Sequence, residues 1–306
     1  MGWARREAKL ASRRGVRILR LGDPGYPGLL ADSPGPPAVI YVSGHVEALS
    51  RHGVAIVGAR RASAFGRGFA RRLAADLSRE GLMVYSGGAR GIDSEAHLGA
   101  LEAGGGTVAV LGCGLDVTYP PENARLFEGI AASGALVSEF PFGTSPQPYH
   151  FPIRNRVIAG LSLAVVVVEG TEGSGSLITA ARALDANRDV MAMPGAVVSA
   201  LSAGPNRLIA EGAGLVRSAD DVLAALPYWT ELHPLAGGDG REAALAGLSS
   251  RDRAALEAVD PAEGSTADEI AAALGAGAGE ALGRLTGLEL GGFIERMPDG
   301  RFVRRQ

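Results

Sequence analysis

The amino-acid sequence predicts an α/β protein built on a doubly wound, mostly parallel sheet, followed by a small second domain. Short β-branched apolar runs alternate with amphipathic segments of helical period through most of the chain. One run, residues 163–168, is apolar at every position, as expected of a strand buried on both faces. Glycine-rich turns follow four of the predicted strands, and this recurrence places a candidate ligand site at one edge of the sheet.

Length and composition set the class of protein. The chain has 306 residues, which suggests two domains, and 46% of them are hydrophobic, enough for a substantial core. Its single cysteine, Cys113, excludes a disulfide framework and a thiolate metal cluster. No apolar run approaches the roughly 18 residues that span a membrane. We therefore expect a cytoplasmic protein without a membrane segment, and no motif predicts a metal or a cofactor.

Charge is distributed unevenly along the chain. The net charge of −3 does not by itself suggest a nucleic-acid-binding protein. Residues 1–20, however, carry seven basic side chains and one acid, Glu7, whereas residues 245–306 carry seven arginines and ten acids. A polyanion site in the middle of the chain must therefore be a local arginine cluster and not a general positive field.

The elements follow in order from the periodicity of the sequence. Residues 3–14 are either a short basic helix or an unfolded tail, and residues 39–42 form an edge strand within a proline-rich segment. Residues 66–77 form an amphipathic helix, and a second helix ends near residue 101. The regular strands are predicted at residues 54–57, 82–85, 107–111, 135–138, 163–168 and 190–193.

The turn at residues 173–176 is a candidate anion site. It follows the buried strand 163–168 and opens a helix, so free backbone N–H groups and the positive end of a helix dipole lie at the carboxyl edge of the sheet. The alternative is that Ser174 or Ser176 only caps that helix. The neighbouring glycines and the upstream cluster Phe151, Arg154 and Arg156 favour the anion site.

Three enzyme interpretations have little support. The first regular strand ends in Gly58-Ala59-Arg60 without a dinucleotide-binding G-x-G-x-x-G turn, and the chain contains no Walker A Gly-Lys-Ser/Thr. His97 follows Asp93 at helical spacing, which more often fixes a loop to its helix than performs acid–base chemistry. Cys113 has no histidine beside it in sequence, which favours a small buried thiol over a nucleophile.

Six motifs in order resemble the DprA/Smf family of DNA-processing proteins, over about residues 54–216. They are VAIVGAR (54–60), SGGARGIDSEAH (86–97), VAVLGCGLDVTYPPEN (108–123), FPIRNRVIAGLS (151–162), GSGSLITAA (173–181) and a last motif of Pro194-Gly195 with GPNRLIAEGA (204–213). The resemblance implies an extended Rossmann-like domain that binds single-stranded DNA, forms a homodimer and loads the recombinase RecA during natural transformation. It implies no enzymatic activity.

Four parts of the chain are distinguished. Residues 1–45 are a basic segment and connection, 46–226 the Rossmann-like domain, 227–244 a linker, and 245–306 a winged-helix domain of three helices and a hairpin around Pro298-Asp299-Gly300. Winged helices typically bind duplex DNA, but the net charge of this one favours a protein contact.

The resemblance also implies which residues contact DNA. Phe151 would stack on a base, while Arg154 and Arg156 either contact phosphate or pair with Glu139 or Glu169. Some relatives carry a lysine where this chain has Pro121, and the dimer would form through residues 208–226. The DNA-binding set is Arg60, Ser63, Ser86, Gly87, Gly88, Ala89, Arg90, Gly91, Gly112, Gly114, Phe151, Arg154, Asn155, Arg156, Gly173, Ser174, Gly175, Ser176 and Leu177.

The alternative function is that of a nucleoside-monophosphate phosphoribohydrolase on the related lysine-decarboxylase-like fold. That group uses a G-G-x-G-T-x-x-E loop whose glutamate does the chemistry. Aligning Gly175-Ser176 with its Gly-Thr places Thr179 where the glutamate would stand. A threonine cannot replace a carboxylate as acid or base, so the loop favours binding without catalysis.

Overall fold

The chain divides into two compact units, Met1–Pro227 and Tyr228–Gln306. The computed structural model describes residues 2–226, 249–260, 264–290, 293–297 and 300–304. The predicted linker, residues 227–244, lies outside the described residues, as do Pro298 and Asp299 of the predicted hairpin turn.

A nine-stranded sheet organises the described part of the first unit, in the order β1-β2-β6-β5-β4-β3-β7-β8-β9. From β6 to β9 every neighbouring pair is parallel, whereas β2 runs antiparallel to both β1 and β6. This confirms the prediction of a mostly parallel sheet. The strands are β1 (Val16–Arg20), β2 (Val39–Gly44), β3 (Gly53–Val57), β4 (Met83–Ser86), β5 (Thr107–Leu111), β6 (Ala135–Ser138), β7 (Ala164–Val167), β8 (Asp189–Ala192) and β9 (Gly214–Leu215).

Helices cover both faces of the sheet, which explains why its central strands are apolar throughout. On β5, Val108 and Val110 belong to the core that includes Ile158, while Ala109 and Leu111 pack with Phe127. The helices of this unit are α1 (Gly2–Arg13), α2 (Gly28–Ala31), α3 (Ala64–Arg79), α4 (Ile92–Glu102), α5 (Ala124–Ser133), α6 (His150–Leu161), α7 (Gly175–Asp185), α8 (Ala203–Ala210) and α9 (Ala219–Ala224).

The first 45 residues differ most from their predicted form. Residues 3–14 lie in helix α1, which settles the choice between helix and unfolded tail. The strand predicted at 39–42 is not at the edge, because β1 pairs with it along its outer side. Strand β1 has the sequence VRILR, whose short length and two arginines give a weak strand pattern. Both strands belong to the same sheet as residues 53–215, so the structure shows no separate segment before residue 46.

The second unit has the elements of a winged helix. Helices α10 (Ser250–Glu257), α11 (Ala267–Leu274) and α12 (Ala278–Leu290) precede an antiparallel hairpin of β10 (Ile294–Arg296) and β11 (Phe302–Arg304). Their shared core includes Val259, Ile270, Leu285, Ile294 and Phe302. In the described part of the chain, no helix is both long and apolar enough to cross a membrane.

Candidate functional site

A cleft of about 490 Å³ lies at the carboxyl edge of the sheet, where the sequence predicts a ligand site. Arg60 comes to it from the turn after β3, Ala89 and Asp93 from the turn after β4, and Tyr119 from the connection between β5 and α5. The first turns of α6 and α7 close the other side, with Phe151, Arg154, Asn155, Ser174, Gly175, Ser176 and Thr179. A smaller recess shares its Arg60, Ala89, Tyr119 and Phe151 and adds Gly87, Gly88, Arg90 and Gly112.

Phe151 and Arg60 form the centre of the cleft. The guanidinium carbon of Arg60 lies 4.8 Å from the centroid of the Phe151 ring, a cation–π contact, and the ring of Tyr119 lies 5.7 Å from it. A Cβ at Gly112 would come within 2.9 Å of the Phe151 ring, so glycine there makes room for the aromatic side chain. Phe151 is half-buried, and its stacking on a base stays a prediction.

Arg60 differs from the other cations that line these cavities. Its side chain is exposed, and no ion pair or hydrogen bond joins it to another described residue. Arg90, in contrast, forms a bidentate ion pair with Glu122. Arg154 is buried. Arg60 is therefore the cation of the cleft that remains available to an anionic ligand.

Arg154 builds the scaffold of the cleft. It is 4% exposed, and its Nη1 donates to the carbonyl oxygens of Gly87 (2.6 Å) and Val110. Burial lowers the pKa of Arg154 to about 10. Arg154 pairs with neither Glu139 nor Glu169, and because it lines the cleft its phosphate contact stays a prediction.

Arg156 and Asn155 also have structural partners. Arg156 donates to Glu139 at 2.6 Å, which is the pairing alternative that the sequence left open. Asn155 Nδ2 donates to the Gly175 carbonyl oxygen at 3.1 Å and so fixes α6 against the start of α7.

Ser63 and Glu169 join the turn after β3 to the end of β7. The Glu169 carboxylate accepts hydrogen bonds from Ser63 N (2.8 Å) and Ser63 Oγ (2.6 Å), and Ser63 Oγ accepts from Gly66 N as the cap of α3. A Cβ at Gly66 would overlap the Glu169 carboxylate. Ser63 thus holds the backbone that carries Arg60, and its contact with DNA stays a prediction.

The turn after β4 was expected to bind phosphate through its backbone N–H groups. In the structure the carboxylate of Asp93 accepts from two of them, Gly87 N (3.2 Å) and Ala89 N (3.3 Å). Asp93 is 6% exposed, and burial raises its pKa above the ordinary range although Arg154 opposes the shift. Asp93 therefore takes up two N–H groups of this turn, which matches the prediction that it fixes a loop to its own helix, while Gly88 N, Arg90 N and Gly91 N have no acceptor among the described residues. The phosphate contact of this turn stays a prediction.

The remaining residues of this edge in the predicted DNA-binding set form contacts with the backbone or allow its conformation in the turns. Ser86 is buried, and its hydroxyl donates to Ile56 O at 2.6 Å. Gly91 has a φ of +77°, and a Cβ there would lie 2.3 Å from Ala59 O, so only glycine permits the two turns to approach. Gly88 also has a positive φ, while Gly114 donates its N–H to Thr144 O at 3.0 Å and lines neither cavity.

The first turn of α7 keeps free N–H groups at the cleft. Ser174 caps the helix by accepting from Ser176 N at 3.3 Å, and the two hydroxyl groups are 2.7 Å apart. Among the described residues nothing accepts from Gly173 N or Gly175 N. Capping by Ser174 therefore leaves Gly175 N without an acceptor at the cleft, and the anion site stays a prediction. Leu177 packs against the core, and neither it nor Gly173 lines a cavity.

Neither candidate nucleophile or base is placed for catalysis. His97 Nδ1 lies 2.7 Å from Thr107 Oγ1 in the core, and burial lowers its pKa to about 3. Burial raises the pKa of the Cys113 thiol to about 11, as expected of a small buried thiol. Within the described ranges no three His, Cys, Asp or Glu side chains converge as metal ligands would.

Comparison with known proteins assigns this architecture. A family model described as DNA recombination-mediator protein A matches residues 17–227, and the DprA winged helix domain matches residues 240–300. The chain belongs to the DprA/Smf family. The DNA processing protein DprA of Bacillus subtilis is 40% identical over 215 residues, covering 70% of this chain and 72% of that protein. Protein Smf of Synechocystis is 42% identical over 218 residues, which cover 70% of this chain and 55% of that longer relative.

Two solved DprA structures have a similar fold. That of Streptococcus pneumoniae matches with a TM-score of 0.67 and 41% identity, covering 71% of this chain and 77% of that one. A structure of DNA processing protein A from Helicobacter pylori, described by its single-stranded DNA binding mode, matches with a TM-score of 0.63 and 28% identity, covering 70% and 97%.

Proposed function

We propose that the cleft binds single-stranded DNA without turning it over. Membership in a family of DNA-processing proteins supports this, as does the similarity to the Helicobacter pylori protein described with a single-stranded DNA binding mode. In this proposal Arg60 and the first turn of α7 hold the phosphate backbone, and a base stacks in the aromatic recess of Phe151 and Tyr119.

The observation that carries the proposal is the state of Arg60. Its guanidinium lies against an aromatic ring at 4.8 Å and has no carboxylate partner among the described residues. On the other side of the cleft Gly175 N has no acceptor among the described residues and would donate to a second phosphate of the same strand. An aromatic surface with a cation and amide donors suits a nucleotide strand of any sequence, because every base has a stacking face.

Fluorescence anisotropy with labelled oligodeoxythymidine tests the proposal. Removing one charge-assisted phosphate contact costs about 1.5–3 kcal/mol, so Arg60→Ala is expected to weaken binding by about 10- to 100-fold. The slope of log K against log salt should become shallower by about 0.7. Arg61→Ala is the matched control, because Arg61 has the same charge, follows in the same turn and does not line the cleft.

The proposal fails if Arg60→Ala and Arg61→Ala bind single strands equally well, or if duplex competes as strongly as single-stranded DNA. Unchanged thermal unfolding of Arg60→Ala is expected, because its side chain is exposed and holds no element in place.

The same cleft is proposed to lack hydrolase activity on nucleotides. Thr179 is 2% exposed and lines the cleft at the position where a phosphoribohydrolase would carry its glutamate. Incubation with nucleoside monophosphates should release no free base above a buffer blank. Release that depends on the protein would support the alternative hydrolase function.

Two finer roles belong to the proposal because the family resemblance implies them. The first is a homodimer through residues 208–226, where Leu215 of β9 is 44% exposed. Sedimentation velocity should show a dimer that Leu215→Glu converts to a monomer. The second is RecA loading, which predicts faster RecA filament assembly on single strands coated with single-strand-binding protein. A monomeric wild type, or an unchanged assembly rate, would remove the corresponding role.

A further inference from the structure

Helix α1 is attached to the sheet by a narrow contact. Of its residues only Glu7 and Ala11 are buried. The Glu7 carboxylate accepts from the Tyr41 hydroxyl at 3.0 Å and from Phe142 N at 3.3 Å, and Ala11 packs with Tyr41 and Val16. The one acid of the helix is therefore used to dock it, and its side chains other than Glu7 and Ala11 are exposed.

The basic side chains of this region have no acidic partners. None of the six cations between residues 5 and 17 forms an ion pair with another described residue, whereas Arg20 pairs with Asp23. All six side chains are exposed. They are Arg5, Arg6, Lys9, Arg13, Arg14 and Arg17.

One side of α1 combines cations with exposed apolar groups. Helical spacing of three and four residues places Trp3, Arg6, Leu10 and Arg13 along the same side of the helix. This side lies next to the buried residues Glu7 and Ala11. Trp3 is 57% exposed and Leu10 is 36% exposed. Arg14, which continues this side, has its guanidinium 5.7 Å from the centroid of the Phe142 ring.

This side of α1 is connected to the cleft through a single loop. Phe142 lies between β6 and α6, and four residues further along the same loop Pro146 lines the cleft. α1 packs on Val16 of β1 and Tyr41 of β2, and β1 and β3 are five positions apart in the sheet, which at about 4.8 Å per strand corresponds to about 24 Å. The basic side of α1 and the Arg60 turn thus border the same edge of the sheet.

We infer that α1 forms an outer segment of the same single-stranded DNA track, where Arg6 and Arg13 contact phosphates of the strand that leaves the cleft. The inference rests on the proposed function and extends it to a second contact region. Interleaved arginine and tryptophan suit a nucleotide strand. An anionic membrane is the less suitable partner, because an interfacial helix buries a broad apolar face and α1 exposes only Trp3 and Leu10 as large apolar groups.

The inference predicts a dependence on oligonucleotide length. At about 3.4 Å per nucleotide, crossing about 24 Å takes roughly seven nucleotides beyond those held in the cleft. An oligonucleotide of roughly four nucleotides should therefore occupy the cleft alone, and one of about 20 should reach α1.

The experiment compares Arg6→Gln/Arg13→Gln with wild type on oligodeoxythymidines of these two lengths, across a salt series. We expect at least about a fivefold loss of affinity for the longer strand, a salt slope shallower by about 1.4, and no change for the shorter strand. Arg51→Gln/Arg79→Gln is the control for net charge, since it removes two exposed arginines at the opposite edge of the sheet, where Arg51 donates to Gly81 O and Arg79 pairs with Asp76. It should match wild type on both lengths.

Several outcomes would overturn the inference. One is equal affinity of the α1 variant and wild type for the longer strand while Arg60→Ala still loses binding, which leaves the proposed function intact. Another is an equal loss in the Arg51→Gln/Arg79→Gln control, which would reflect net charge alone. A third is loss of binding to phosphatidylserine vesicles in the α1 variant with DNA binding unchanged. If Arg60→Ala also has no effect, the proposed function itself fails.

Discussion

Two turns at the carboxyl edge of the sheet are both rich in glycine, but they differ in the hydrogen bonds of their backbone N–H groups. The turn of residues 86–93, between β4 and α4, and the turn of residues 173–176, before α7, each follow a buried parallel strand and open a helix. In the first, Asp93 accepts from the N–H groups of Gly87 and Ala89. In the second, Gly173 N and Gly175 N have no acceptor among the described residues. We refer to them as the closed turn and the open turn.

This difference shows that a glycine-rich turn indicates a site for an anionic ligand only when no carboxylate of the following helix accepts from its backbone N–H groups. Asp93 is the second residue of α4, and Ser176 is the second residue of α7. One side chain at the same helical position therefore distinguishes a turn that holds itself together from one open to a ligand.

Converting the open turn to a closed one should have the largest effect. Ser176→Asp places a carboxylate at the helical position that Asp93 has in the closed turn and within the lining of the cleft, where its charge would repel phosphate. Like charges at such distances cost several kcal/mol, and we expect single-strand affinity to fall by about 100-fold. Ser176→Asn, of the same shape without the charge, should stay within about threefold in the same anisotropy titration. Equal loss in both variants would contradict the comparison.

Removing the Asp93 carboxylate from the closed turn should lower the free energy of unfolding. Asp93→Ala leaves Gly87 N and Ala89 N without their acceptor, and we expect urea denaturation to show a loss of about 2 kcal/mol in the free energy of unfolding. Asp93→Asn keeps an acceptor oxygen and should lose less than about 1 kcal/mol. If the two variants are equally stable, the hydrogen bonds of Asp93 do not hold the turn.

The charge of Asp93 adds a dependence on pH. Because burial raises its pKa above the ordinary 3.8, the folded state retains the proton longer than the unfolded state. The stability of wild type relative to Asp93→Asn should therefore be greatest below that value and fall as pH rises from it through the folded pKa. A relative stability that increases over this range would show that Arg154 outweighs burial.

The smallest predicted effect is the loss of stability near neutral pH that His97, on the helix after the closed turn, causes as the pH falls. Burial lowers the pKa of His97 on α4 from 6.5 to about 3, so stability is lost as pH falls from 6.5, where the unfolded chain takes up a proton and the folded chain does not. Between pH 7 and pH 6 this amounts to about 0.7 kcal/mol. His97→Gln should flatten this part of the curve in urea titrations, whereas His45→Gln, at an exposed site, should not.

Regular elements could be predicted from the sequence because their signals are local. The strand predicted at 107–111 coincides with β5 and that at 135–138 with β6, since continuous apolar runs between turns have few alternatives inside a sheet. The amphipathic helix with Phe69, Leu73 and Leu77 on its buried face is confirmed. Strand β1 was missed because its partner, β2, lies more than twenty residues away in sequence.

At the candidate site, too, some features could be predicted from the sequence and others could not. The edge of the sheet, the Arg60 turn and the start of α7 were predictable, because strand order places carboxyl ends together. Which arginine stays free was not predictable. Arg60, Arg154 and Arg156 look equivalent in sequence, but Arg154 donates to the carbonyl groups of Gly87, just after β4, and Val110 of β5, and Glu139 accepts from Arg156.

By itself the sequence determined the fold class, the family and the edge of the sheet that carries the site, because apolar periodicity and turn chemistry are encoded within short stretches. Only the tertiary structure decided that Asp93 occupies one turn, that the other stays open, and that Arg60 is the available cation. The physical reason is that a hydrogen bond or an ion pair depends on distances between residues far apart in the chain, and folding alone sets those distances.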